Sequence, residues 1–126
     1  MITVDGITYQ IPYKVVNRKA EILFKDGAGR TEDGTLHAEA IGTYFNYDIQ
    51  MGQSLNNVAD YKALWLVLTD PNHEHTVIMP DEDGGRQFKA YFANMRDRVA
   101  TWKENGTVYF RELTFSVIAI SPQRVP

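Results

Sequence analysis

The sequence predicts a mainly β domain (α+β) with a single flanking α-helix and a long C-terminal β-hairpin. Three observations carry this expectation. Apolar and polar residues alternate with a period of two over long stretches, most clearly in 35–51 and 107–120. Hairpin-type turn pairs, Asp5-Gly6 and Asn105-Gly106, separate runs rich in β-branched and aromatic residues. Convincing helical spacing occurs in one segment, Val58–Leu68.

The first two strands, Ile2–Val4 and Ile7–Ile11, flank Asp5-Gly6, a pair that tolerates the positive φ of a tight hairpin. Pro12 has no ladder donor and ends or edges the second strand. An extended run follows from Tyr13 to Phe24, with Val15, Ile22 and Phe24 expected to face inward. Lys25–Gly34 mixes glycines with charged residues and holds no large apolar side chain, which predicts a mobile, solvated loop that orders under a partner. From Thr35 to Met51 the alternation predicts one long strand. Ile41, Phe45, Tyr47, Ile49 and Met51 share a face, with Glu39 and Thr43 as polar exceptions, and Asn46, Asp48 and Gln50 lie opposite.

The helix, near 57–69, takes Asn56 or Asn57 as its cap and Asp60 in its first turn, where the helix dipole favours a carboxylate. Tyr61, Leu64, Trp65 and Leu68 form its core-facing stripe, and Pro71 prevents continuation. His75–Met79 reads as a short strand and Pro80–Gly85 as a turn. Gln87–Val99 fits a strand, with Phe88, Ala90 and Phe92 alternating, although 95–102 also fits a helix; the β-rich hairpin that follows favours the strand. In Thr107–Ile120, Leu113, Phe115, Val117 and Ala119 face the core, and Glu112, Thr114 and Ser116 face away. Straight, that strand would span ~48 Å. A domain of this mass is roughly 36 Å across. The strand must therefore bend or project, and a projecting two-stranded arm calls for a neighbouring subunit.

The 126 residues (14.4 kDa) are read as a single domain, 1–126, large enough to bury a core without staples. A net charge of −3 argues against specific nucleic-acid binding. The absence of cysteine excludes disulfides, Cys–Zn sites and thiol catalysis. The start resembles no signal peptide, and no apolar run approaches membrane-spanning length, so a soluble protein without membrane association is expected.

The chemistry-bearing residues form no catalytic set. His73-Glu74-His75 could present two imidazoles on one strand face, with His37, Asp81 or Asp83 as a third ligand, but two histidines after Pro71-Asn72 are more often plain loop residues. Asp81-Glu82-Asp83-Gly84-Gly85 lacks the fifth and twelfth ligands of a calcium loop. Gly27-Ala28-Gly29 opens no helix, and no nucleophile elbow is present. Asp48, Asp60, Asp70, Asp97 and Glu112 give no converging pair, and Arg86, Arg96 and Arg98 beside Tyr91 and Phe92 fit a solvated strand face. No enzyme activity, cofactor or metal is expected. Trp102, beside Lys103-Glu104-Asn105-Gly106 at a hairpin tip, suits an interface anchor as well as it suits packing.

Several runs taken together, Gly29–His37, Ile41–Tyr47, Asp60–Trp65, Leu68–Pro71, His75–Val77 and Leu113–Pro122, resemble small structural proteins of the tail modules of Gram-positive bacteriophages and prophages. The likeness spans roughly residues 15 to 124, and departs at Asn94–Val99, which is more charged. It implies a virion component of a long non-contractile tail, made in the host cytoplasm. It also implies two packed antiparallel sheets in a sandwich or barrel, with one flanking helix, assembling into rings, usually hexamers, against neighbouring tail proteins. Carried onto this chain, the loop and the hairpin become inter-subunit contacts, through Asp26, Arg30, Glu32, Asp33, Trp102, Lys103 and Asn105. An acidic balance suits a lumen through which DNA slides without sticking. Tube, hub and completion proteins share this fold. Two other readings compete. One is a monomeric β-sandwich module that binds carbohydrate on Tyr44, Tyr47 or Trp102, and the other a metal enzyme built on His37, His73 and His75.

Overall fold

Asp5 (φ 51°) and Gly6 (φ 83°) both adopt the left-handed conformation, closing the hairpin between β1 (Thr3–Val4) and β2 (Ile7–Thr8). A computed structural model of the chain describes residues 1–24, 29–30, 36–37, 39–52, 57–72 and 74–126, without the side chains at 29, 30, 36 and 37. The remaining elements are β3 (Tyr13–Phe24), β4 (Gly29–Arg30), β5 (Leu36–His37), β6 (Ala40–Met51), α1 (Val58–Leu68), β7 (His75–Met79), β8 (Arg86–Trp102) and β9 (Val108–Ala119). Among the described residues the chain is mainly β with one helix, as its alternation and helical spacing require.

The expected pair of packed sheets is corrected. A single antiparallel sheet of seven strands runs in the order β2-β1-β7-β8-β9-β6-β3, and β4 with β5 form a separate two-residue ladder. The sheet does the work of two by coiling. Its edge strands, β2 and β3, are consecutive in sequence, and the five-residue step from Thr8 to Tyr13 holds their ends within ~18 Å. Across the enclosed face, the Tyr47 hydroxyl of β6 donates to the Pro80 carbonyl (3.0 Å), and the Tyr47 and Phe88 rings stack at 6.1 Å. Arg18 of β3 reaches Glu82 in the β7–β8 turn, and Arg18 and Arg86 both lie over the Phe45 ring.

Ile2, Val4, Tyr47, Met51, Val77, Met79, Leu113, Phe115 and Val117 fill the interior, each 2 % exposed or less. The helix closes one end and buries Tyr61, Leu64 and Leu68, with Trp65 half-buried. Its expected cap works differently. The Asn57 side chain makes no capping bond and instead donates to the Gln10 carbonyl (2.7 Å), while Asp60 accepts from the Gln10 amide (2.8 Å). Both residues tie the helix to the link between the sheet edges.

Three further expectations change. The long strand from Thr35 is divided, because its regular pairing with β3 begins at Ala40. Val15, Ile22 and Phe24 do not face inward; they are 39, 58 and 46 % exposed, and Val16 packs on the core instead. Their strand is an edge of the sheet among the described residues. On β6, Ile41 is exposed, whereas Asn46 is buried and accepts from the Ala119 amide (2.9 Å).

The question over 95–102 resolves as strand: β8 runs unbroken through 17 residues. Bends keep it from being straight. Register shifts separate Ala93 from Arg96, Arg96 from Arg98 and Val99 from Thr101, with Asn94 (φ 57°) and Glu112 (φ 58°) left-handed at the bulges.

Candidate functional site

Two ribbons leave the body at opposite ends, β8–β9 and β3–β6, the second with the C-terminal segment bridged to it at Thr43. β7 pairs with β8 over 86–90 alone, and β6 with β9 over 114–117 alone. Beyond Arg96 and Thr114, the β8–β9 ribbon therefore has no third strand among the described residues. It leans on the helix where Phe110 stacks on Tyr61 (5.5 Å, 5° between planes) and the Tyr61 hydroxyl donates to Asp97 Oδ2 (2.6 Å). Burial pushes the Tyr61 hydroxyl pKa up, and the adjacent Asp97 adds to the rise. The β3–β6 ribbon ends at Phe24 and Ala40 on the other side of the sheet, since β6 and β9 run antiparallel.

At the β8–β9 tip, the Lys103 amide donates to the Thr107 carbonyl (2.8 Å) and the Gly106 amide to the Lys103 carbonyl (3.0 Å). Gly106 takes φ 91°, closing the turn. Of the expected contact residues, Trp102 stands 78 % exposed at the end of β8. Lys103 lies over the Tyr109 ring (5.1 Å), and Asn105 accepts from the Thr107 amide (3.0 Å), so both serve the shape of the tip. Arg30 lies in the β4–β5 ladder, and Asp26, Glu32 and Asp33 fall outside the described residues. The loop flanks, Phe24 and Ala40, lie at the end of the sheet away from Trp102.

A groove of about 560 Å³ on the sheet is lined on four strands by the polar side chains of Asn17, Asp48, Arg96 and Ser116 together with the apolar Val15 and Met95. Its side chains bond one another. Ser116 donates to Asp48 (2.7 Å), which holds the Asp48 carboxyl below its ordinary pKa, and Arg96 donates to Thr114 (3.1 Å).

Of the histidine candidates, His75 is the one whose side chain lies among the described residues. His75 is 6 % exposed, and its Nδ1 lies 2.8 Å from Asp5 Oδ2. The other Asp5 oxygen accepts from the Thr76 amide (2.8 Å). His73 lies outside the described residues, and no side-chain position is described for His37. Among the described residues, no group of three or more metal-ligating side chains is gathered. In the acidic turn the Asp81 carboxyl pairs with Arg86 and accepts from the Asp83 amide, and Glu82 pairs with Arg18 of β3. Tyr47 is 1 % exposed, so it offers no ring to a carbohydrate.

Sequence reasoning missed the unpaired edge of β3. The signal was present: Lys14, Arg18, Lys19 and Glu21 put charge on both faces of that strand, which no buried strand tolerates. Compared with family models, with curated proteins and with solved structures, the chain matches none.

Proposed function

We propose that this chain is a structural subunit of a bacteriophage or prophage tail, in the tube, hub or completion position, which works by self-assembly into rings, hexameric in the simplest case. The observation that carries the reading is the β8–β9 ribbon, which projects past its last sheet neighbour and presents Trp102 almost fully to water. A free two-stranded ribbon is marginally stable alone, and an exposed tip aromatic is a common interface anchor. A subunit that inserts this tip into its neighbour gains on both counts. The reading invokes no catalysis and no cofactor. Its partners are further copies of the chain and adjoining tail proteins.

Light scattering after size exclusion, over a concentration series, tests it. A discrete ring mass or concentration-dependent polymers is the expected result, with loss of assembly in Trp102→Ser. Trp102 emission should also shift to the blue as assembly proceeds. A strict monomer near 14.4 kDa at every concentration overturns self-assembly by this chain.

A further inference from the structure

We propose that the outer edge of β3 is a second, separate self-association surface, on which two copies of the chain pair antiparallel about a two-fold axis through Ala20. The proposal does not rest on the tail reading. β3 is a 12-residue edge strand, and among the described residues no strand pairs with its outer side. Such an edge presents a row of unpaired amides and carbonyls, and natural proteins shorten, cover or pair edges of this length. This one is long, unpaired among the described residues and apolar at its far end, where Ile22, Leu23 and Phe24 are 58, 44 and 46 % exposed.

The sequence of the strand selects the occupant. Lys19-Ala20-Glu21 is antisymmetric in charge about Ala20, and an antiparallel two-fold pairing requires that symmetry. With Ala20 opposite Ala20 of the second copy, Lys19 faces Glu21 of the second copy and Glu21 faces Lys19 of the second copy. Val16 then lies opposite Phe24 of the second copy, and Arg18 opposite its Ile22, which covers the exposed apolar end. Slipping by two residues in either direction sets Lys19 against Lys19 or Glu21 against Glu21. The one-residue slip that matches Arg18 to Glu21 must first detach Arg18 from Glu82. Lys19 is held more loosely, 3.5 Å from Asp48 with both side chains about half exposed. Glu21 has no ion-pair partner among the described residues. Pairing is therefore specified in register and direction by side chains that the monomer leaves largely unused.

Because the chain has no cysteine, Ala20→Cys gives a clean probe. Directly opposed residues of an antiparallel pair have Cα atoms about 4.5–5.5 Å apart, within disulfide reach. Mild oxidation of folded Ala20→Cys should give a covalent dimer, and Trp102→Ser in the same chain should leave it intact. In an independent arm, Glu21→Lys replaces two attractive pairs with repulsive ones and should weaken the dimer contact about tenfold in sedimentation equilibrium. The exchange Lys19→Glu with Glu21→Lys should restore it. Absence of the disulfide dimer, or self-association unchanged by Glu21→Lys, overturns the pairing. A chain that forms rings through Trp102 while Ala20→Cys gives no disulfide dimer overturns this contact alone and leaves the tail reading standing.

Discussion

Tyr61 on the helix donates a 2.6 Å hydrogen bond to Asp97 on the β8–β9 ribbon, and that bond with the ring of Phe110 fixes the angle at which the ribbon leaves the body. Tyr61→Phe keeps the ring stack and removes the hydroxyl, leaving Asp97 without this donor. The expected loss is about 1–2 kcal/mol in denaturant unfolding. Asp97→Asn keeps an acceptor and should cost less. Equal losses from both would show that the bond contributes no directional stability.

Tyr13 predicts the opposite sign. Its hydroxyl is buried and has no hydrogen-bond partner among the described residues, and burial pushes its pKa up to about 12. Tyr13→Phe removes an unsatisfied polar atom and should leave stability unchanged or raise it by up to about 1 kcal/mol. A loss of stability would reveal a partner for the hydroxyl.

Asp5 supplies the acid-side dependence. The hydrogen bond from His75, and then that from the Thr76 amide, hold its carboxyl below the usual aspartate range. A folded pKa below the unfolded value of about 3.9 stabilises the fold above that pH, and the contribution is lost as the pH falls through the folded value. Asp5→Asn preserves the left-handed turn residue and should lower stability near neutrality by about 1 kcal/mol, the figure being kept small because half of the side chain is exposed. The gap between variant and wild type should close as the pH drops below about 4. Thermal unfolding at stepped pH reads both.

Gly42 allows the C-terminal segment to lie against β6. There the Thr43 amide donates to the Arg124 carbonyl (2.8 Å), and the Gln123 side chain bonds both the amide and the carbonyl of Phe45. An added Cβ at Gly42 would stand 2.6 Å from Pro122 Cβ and 2.7 Å from the Arg124 carbonyl, a backbone atom with no rotamer to escape by. Gly42→Ala should therefore displace the segment, at about 1–3 kcal/mol. Faster hydrogen exchange at Thr43 and Phe45, with exchange at Leu113 unchanged on the same scale, is the expected pattern.

Local patterns carried most of the fold. The helix stands at Val58–Leu68, β3 at Tyr13–Phe24 and β7 at His75–Met79, the spans that spacing and punctuation indicate. The inward set Leu113, Phe115, Val117 and Ala119 is buried as alternation requires. What local pattern could not carry was which strands are neighbours. Val15, Ile22 and Phe24 have the composition of inward residues, and their exposure follows from the edge position of β3, a property of topology. The pairing of Asp5 with His75 joins residues 70 positions apart, and no spacing rule reaches that far. At the site, the tip around Trp102 was legible because Asn-Gly turns are local, whereas the unpaired β3 edge became visible with the strand order.

The short link that joins the two edge strands also orders the folding reaction. The β8–β9 hairpin closes over a short loop, while the pairing of β1 with β7 must close one of some seventy residues. Ribbon formation should therefore precede the transition state, and docking of the first eleven residues should follow it. Val4→Ala, in the fully buried pairing partner of Val77, should then speed unfolding and leave refolding nearly unchanged. Phe115→Ala should slow refolding. Until the N-terminal hairpin docks, β7 is itself an open edge, and in that interval the chain is most exposed to aggregation.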